Sequence, residues 1–108
     1  MMHPLNAYNA TTSSNTFIGA SAGRGSTGIT TSNSNVGIGD SSLSNVTSGG
    51  TNTCIGRSSG DAITSGSNNF YGGGYSGFKT TSGALNVGVG SQAGKEITTG
   101  TQNICIGY

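Results

Sequence analysis

Asparagine returns in this chain with a fixed step. Asn35, Asn52, Asn69, Asn86 and Asn103 are each seventeen residues apart, and Asn15 precedes Asn35 by twenty. A unit this short cannot bury an apolar face alone, so successive copies must stack on one another. The longer first step implies a three-residue insertion between Ala22 and Ile29, within residues 24–28. With Asn as position 1, the consensus reads N-x-x-I-G-x-S-A-G-x-x-I-T-S-G-x-x.

Several positions repeat almost without change. Gly19, Gly39, Gly56, Gly73, Gly90 and Gly107 occupy position 5, preceded by Ile or Val except at Gly72. Ala22, Ser42, Ser59, Ser76 and Ala93 form a small-residue column. Ile29, Val46, Ile63, Thr80 and Ile97 form a second β-branched column, followed by Thr30, Thr47, Thr64, Thr81 and Thr98. Each unit therefore holds two short β-prone stretches between glycine-bearing corners. No apolar stripe has helical spacing, and glycine is too frequent for helix.

Composition matters at one point, the choice between order and disorder. Gly supplies 21 of the 108 residues and charged residues only 6%. Disorder normally comes with many charges or prolines, whereas this chain has one proline, Pro4, and a net charge of +1. Ordered repetition is the better reading. The expected fold is all-β: a parallel β-solenoid, or β-roll, of seventeen-residue coils with two short strands per coil. Residues 1–14 would form a partial N-terminal coil, and residues 15–108 five full repeats plus a half coil. An antiparallel meander is the alternative. Only the solenoid lays each strand on its own copy about 4.8 Å away. The unbroken Asn column (Asn15, Asn35, Asn52, Asn69, Asn86, Asn103) and the Thr column suit such stacking, because amides bond along a column and β-branched side chains nest.

Each coil has only about three modest apolar side chains to bury, a thin return for ordering seventeen residues. Burial of a further face against identical chains, as a trimer around a fibre axis, is expected. Both ends stop in mid-coil: Leu5 matches Leu43, Ala10-Thr11-Thr12-Ser13 resembles Ile29-Thr30-Thr31-Ser32, and the chain closes on Asn103-Ile104-Cys105-Ile106-Gly107-Tyr108. Head-to-tail stacking, each subunit completing its neighbour's coil, would give an open filament.

Asn52-Thr53-Cys54-Ile55-Gly56, followed by Ser59-Gly60-Asp61-Ala62-Ile63-Thr64-Ser65-Gly66, resembles the N-T-A-I-G-x-x-A-G-x-x-x-T-T-G repeat of bacteriophage tail fibres. It is also similar to the shorter N-S-x-A-I-G repeat of trimeric autotransporter adhesin heads. The resemblance covers residues 5–108. It implies a trimeric parallel β-roll, extracellular or on the virion surface, that spaces or presents an adhesive tip.

Other chemistries find little footing. Gly72-Gly73-Gly74-Tyr75-Ser76-Gly77 and Gly88-Val89-Gly90-Ser91-Gln92-Ala93 match the dinucleotide fingerprint, but both are repeat columns with no helix pattern behind them. Cys54 and Cys105 share a position three coils apart, about 14 Å, beyond the ~7 Å a disulfide spans. Asp40, Asp61 and Glu96 lie in different columns and His3 is isolated, so neither a catalytic acid pair nor a metal site is expected, and no cofactor. An enzyme is not expected. No basic patch serves nucleic acid, no apolar run suits membrane insertion, and Met1–Asn6 does not read as a Sec-type signal. The fourth repeat differs: Phe70, Tyr71, Tyr75 and Phe78 cluster there beside Lys79. Exposed aromatics suit a cell-surface glycan or receptor, which makes a binding module the alternative function. Filling space vacated by Gly72 is the structural explanation for the same residues.

Overall fold

Alternation along a strand decides which residues face inward. Positions 2 to 4 of every coil form a three-residue strand, and period-two geometry turns position 3 to one side and positions 2 and 4 to the other. The computed structural model describes residues 7–8, 14–26 and 33–108. Its strands are β1 (Ala7–Tyr8), β2 (Thr16–Ile18), β3 (Val36–Ile38), β4 (Thr53–Ile55), β5 (Phe70–Gly72), β6 (Val87–Val89) and β7 (Ile104–Ile106), in one sheet ordered along the chain.

From β2 to β7 every neighbour is parallel and in register. Thr16 pairs with Val36, Val36 with Thr53, Thr53 with Phe70, Phe70 with Val87, and Val87 with Ile104. Matching positions therefore lie over one another, and the chain is a parallel β-solenoid. Its extents are 36 × 22 × 15 Å.

Glycine at position 5 turns the corner after each strand. Its φ lies between 112° and 130° from Gly19 to Gly107, a region that β-carbons exclude. Space forbids a side chain as well: a β-carbon on Gly39 would sit 2.7 Å from the Gly56 carbonyl carbon of the next coil.

Two columns of ordinary residues also adopt left-handed backbone. At position 7, Ser21, Ser41, Ser58, Tyr75 and Gln92 have φ of 56–62°, and at position 17, Ser34, Thr51, Asn68, Leu85 and Gln102 have φ of 59–61°. Such residues are strained when isolated. Here the flip aims an amide at the preceding coil: Ser58 N donates to Asp40 O at 2.8 Å, Tyr75 N to Arg57 O at 2.8 Å, and Asn68 N to Gly50 O at 3.0 Å. The coil-to-coil hydrogen bond holds the conformation, and the same bond recurs one period later.

The second β-prone stretch differs from the two-strand expectation. It stacks in parallel, with Thr47 N on Thr64 O at 3.0 Å, Thr64 N on Thr81 O at 3.1 Å and Thr81 N on Thr98 O at 2.9 Å. It forms no strand, however, and the isolated bridges, Asn33 with Gly50 and Ala84 with Thr101, fall beyond it at position 16. The reason is local. The amides of Thr47, Ser48 and Gly49 all converge on Thr64 O, so the chain is already turning where a strand would extend.

The first strand breaks the pattern too. β1 pairs antiparallel with β2, Ala7 opposite Ile18 and Tyr8 opposite Phe17, instead of lying on a like coil. The matches drawn for Leu5 and residues 10–13, together with Ile29, Thr30 and residues 27–28 of the insertion, lie outside the described residues. Arg24–Ser26 forms a short 3-10 turn where the insertion begins.

Candidate assembly surface and stacking ladders

The asparagine column is the best-satisfied polar feature. Asn15, Asn35, Asn52 and Asn86 are wholly buried, and Asn69 nearly so. Asn52 shows the arrangement. Its Oδ1 accepts the Asn69 backbone N–H and the Asn69 Nδ2, both at 3.0 Å. Its Nδ2 donates to Asn35 Oδ1 at 3.1 Å and to Gly66 O, in its own coil, at 2.8 Å. Two lone pairs and two N–H groups are all in use, which a buried amide requires. The amide thus bridges coils and closes the loop of its own coil at Gly66. Asn35 and Asn69 close theirs the same way, on Gly49 O at 2.9 Å and Gly83 O at 2.8 Å.

The threonine column behaves differently. Thr47 and Thr98 are exposed, Thr64 and Thr81 half-buried, and the stacking runs through their backbone.

Inside the coil, position 3 carries Phe17, Gly37, Cys54, Tyr71, Gly88 and Cys105. Phe17, Cys54 and Tyr71 are fully buried and belong to the apolar core. Their sizes vary, and position 9 compensates. A β-carbon on Gly23 would collide with the Phe17 ring at 2.2 Å, on Gly60 with Cys54 Sγ at 2.5 Å, and on Gly77 with the Tyr71 ring at 2.3 Å. Where position 3 is Gly37, position 9 is the buried Leu43. Where both are glycine, at Gly88 and Gly94, Tyr71 from the coil before reaches over: a β-carbon would lie 2.8 Å from its Cδ1 at Gly88 and 3.7 Å from its Cε1 at Gly94. Positions 3 and 9 share one volume. Buried Ser42 and Ser59 donate to the strand carbonyls of the following coil, Cys54 O at 2.8 Å and Tyr71 O at 3.0 Å.

The four aromatic candidates separate into three places. Tyr71 is in the core, its hydroxyl 2.9 Å from Thr80 Oγ1, and burial pushes its phenol up; no ligand can reach it. Phe70 stands on the outer side of the sheet. A β-carbon on Gly72 would lie 3.7 Å from Phe70 Cε2, so the ring lies beside the site of the missing position-4 side chain. Only Tyr75 and Phe78 come together, edge to face with centroids 5.3 Å apart. Arg57 lies 6.0 Å over the Tyr75 ring and 3.8 Å from Asp40.

Both cysteines are free thiols. Burial pushes the Cys54 thiol up to about 12, against hydrogen bonds involving Ser59 and the Tyr71 backbone, which leaves a small, inert apolar group at neutral pH. Among the described residues no three His, Cys, Asp or Glu side chains are grouped to hold a metal ion, and no helix is long and apolar enough to cross a membrane. A concavity of about 570 Å³ between Gln92, Lys95, Ile97, Cys105 and Tyr108 is the end of the core, at the level where earlier coils are covered by the next.

The outer side of the sheet is the remaining large feature. Positions 2 and 4 present Ile18, Ile55, Phe70 and Val89 there, each 41–44% exposed. No family model, curated protein or solved structure matches this chain.

Proposed function

We propose that the chain is a structural segment of a fibre, on a virion tail or a bacterial surface, that spaces or presents an adhesive tip outside the cell. The observation that carries this reading is additivity. Each coil bonds to the next through contacts that recur one period on, in the strand, at the position-7 and position-17 amides and along the asparagine column, so length grows by a fixed step without a change in cross-section. An asparagine column bonded from coil to coil and a turn backbone tied to its neighbour suit a stiff spacer. The resemblance of Asn52 to Gly66 to tail-fibre repeats supports the same placement. Its partners are copies of itself. β1 lies antiparallel along the edge of β2, where a like coil would otherwise add, which favours association through the side of the solenoid over that edge.

The test is a length series. Inserting one, two or three copies of residues 52–68 after Asn68 should lengthen the particle by about 4.8 Å per copy, measured by small-angle X-ray scattering at constant cross-sectional radius. Particles that swell in all directions, or inserted coils that loop out unfolded, would defeat the fibre reading.

A further inference from the structure

The charged side chains are confined to one part of each coil. The four basic and three acidic residues are Arg24, Arg57, Lys79, Lys95, Asp40, Asp61 and Glu96. They all fall at positions 6, 10 and 11, on the turns after the strand. Two of the pairs bridge adjacent coils, Arg57 with Asp40 and Lys79 with Glu96 at 3.0 Å. The outward side of the strands carries none. From β2 to β7 it presents only Ile, Val, Thr, Phe and Gly.

An outward sheet face in water normally alternates to polar residues. This one stays apolar where the chain departs most from its repeat. In β5 position 4 loses its side chain at Gly72, and position 2 gains Phe70, whose ring lies beside the gap. Volume moves across the strand, and the face remains filled.

We infer that this outer face, positions 2 and 4 of β2 to β7, packs against the same face of other copies of the chain. The inference rests on the fibre reading and names the surface through which the fibre is built. Three properties select the occupant. The face offers no charge for a complementary partner to neutralise. Its ridges repeat at the strand spacing of about 4.8 Å, and an identical ladder matches that period along the whole length. Its area suits self-association that strengthens with length. Six strands about 4.8 Å apart, each three residues of about 3.3 Å, give a footprint of about 300 Å² and an accessible area of the order of 500 Å². Two such faces bury about 1,000 Å², the size at which a specific interface begins, while one left bare would lie at the upper range of about 300–600 Å² for the largest apolar patch on a monomer.

The experiment is sedimentation equilibrium of the full chain from micromolar to millimolar concentration. It is run beside the double variant Ile55→Lys/Val89→Lys on the face and the control Ser65→Lys on an exposed turn. Wild type and control should associate to two or three chains, and the face variant should bind itself at least 100-fold more weakly with the same far-UV circular dichroism. Should the lysines unfold the chain, Ile55→Thr/Val89→Thr replaces them, since Thr16 and Thr53 already stand on this face; a loss of association of at least 10-fold is then expected. A wild type that stays monomeric throughout, or a folded face variant that associates as well as the control, overturns the inference. Monomers that still lengthen by a fixed step in the coil-insertion series would leave the fibre reading standing without it.

Discussion

Replacing Asn52 by alanine removes one rung from the middle of the buried amide column, and the cost follows from its four bonds. The Asn69 backbone N–H and one N–H of Asn69 Nδ2 lose their acceptor. Gly66 O loses the donor that closes the coil. Asn35 Oδ1 keeps a bond, because the backbone N–H of residue 52 still reaches it at 2.9 Å. Three polar groups are thus orphaned in a region closed to water. At ~1–3 kcal/mol for each buried group left unsatisfied, discounted for local relaxation, the loss is about 3–6 kcal/mol. A domain of this size holds only ~5–15 kcal/mol in total, so Asn52→Ala should be close to unfolding. Asn103→Ala is the internal comparison. Asn103 is half-buried, and its amide gives up a bond to Asn86 Oδ1 that still holds the Asn103 backbone N–H; the expected cost is below ~1 kcal/mol. Urea unfolding followed by far-UV circular dichroism reads both. A lowered midpoint with an unchanged slope means whole-chain destabilisation, whereas a reduced slope means that the coils on one side of the break have come apart. Equal midpoints for the two variants, or a loss under ~1 kcal/mol for Asn52→Ala, would refute the claim that the amide column holds the coils together.

The shared core volume predicts a compensating pair. Cys54→Gly should open a hole and Gly60→Leu should collide with the Cys54 thiol, each destabilising by ~1–3 kcal/mol, but together they recreate the Gly37–Leu43 arrangement, so thermal denaturation should show the double variant at least ~1 kcal/mol better than the sum; strict additivity would contradict the shared volume. The Cys54 thiol predicts a pH effect with a definite sign. Its pKa is raised from 9.0 to about 12 in the folded chain, so the folded state holds the proton over that window and the unfolded state does not. Stability is then full below pH 9 and falls as pH rises towards 12, and Cys54→Ala should weaken that slope in urea titrations, most clearly between pH 9 and 10, with the raised Tyr71 phenol supplying what remains at higher pH. A thiol reagent at pH 8 should accordingly label Cys105 at once and Cys54 only as fast as the chain opens, and immediate labelling of both would show the thiol is not enclosed.

How much of this was legible in the letters depends on what each column conserves. The asparagine column was readable because its function needs one side chain: only an amide offers two donors and two acceptors at the right reach. Position 5 was readable because its backbone admits only glycine. The core was readable only in part: the small-residue and second β-branched columns hold Ala22, Val46 and Ile63 of the core, but position 3 left no such trace. Position 3 runs Phe17, Gly37, Cys54, Tyr71, Gly88, Cys105, which looks like no column, because what is held constant is a volume shared with the residue six places on. The signal was present as pairs: Phe17 with Gly23, Gly37 with Leu43, Tyr71 with Gly77. The most regular apolar column, Ile18 to Ile106 at position 4, faces out instead. The left-handed turns left no trace either, since Ser21, Tyr75 and Gln92 have nothing in common as side chains, and their conformation is set by a backbone bond to the preceding coil. Of the aromatic candidates, only Tyr75 and Phe78 form a pair, because neighbours along a strand alternate sides and so Tyr71 had to part from Phe70.

The division of labour explains why a chain so poor in large apolar residues folds as a solenoid. Stacking supplies what a thick core would: the backbone amides at positions 7 and 17 and the asparagine amides all bond between coils, so cohesion is greatest along the axis. Across the axis the coil is thin, filled by side chains from positions 3, 8, 9 and 12. A structure strong lengthwise and thin crosswise resists stretching and gains stability by adding coils, and it gains further by covering its outer face. The apolar side chains spent on positions 2 and 4 make sense on that account. Inside the coil they would exceed the space available, as the glycines opposite Phe17 and Tyr71 demonstrate. Outside it they leave the shape of one coil unchanged and, in the assembly inferred above, offer many coils a common surface on which to join.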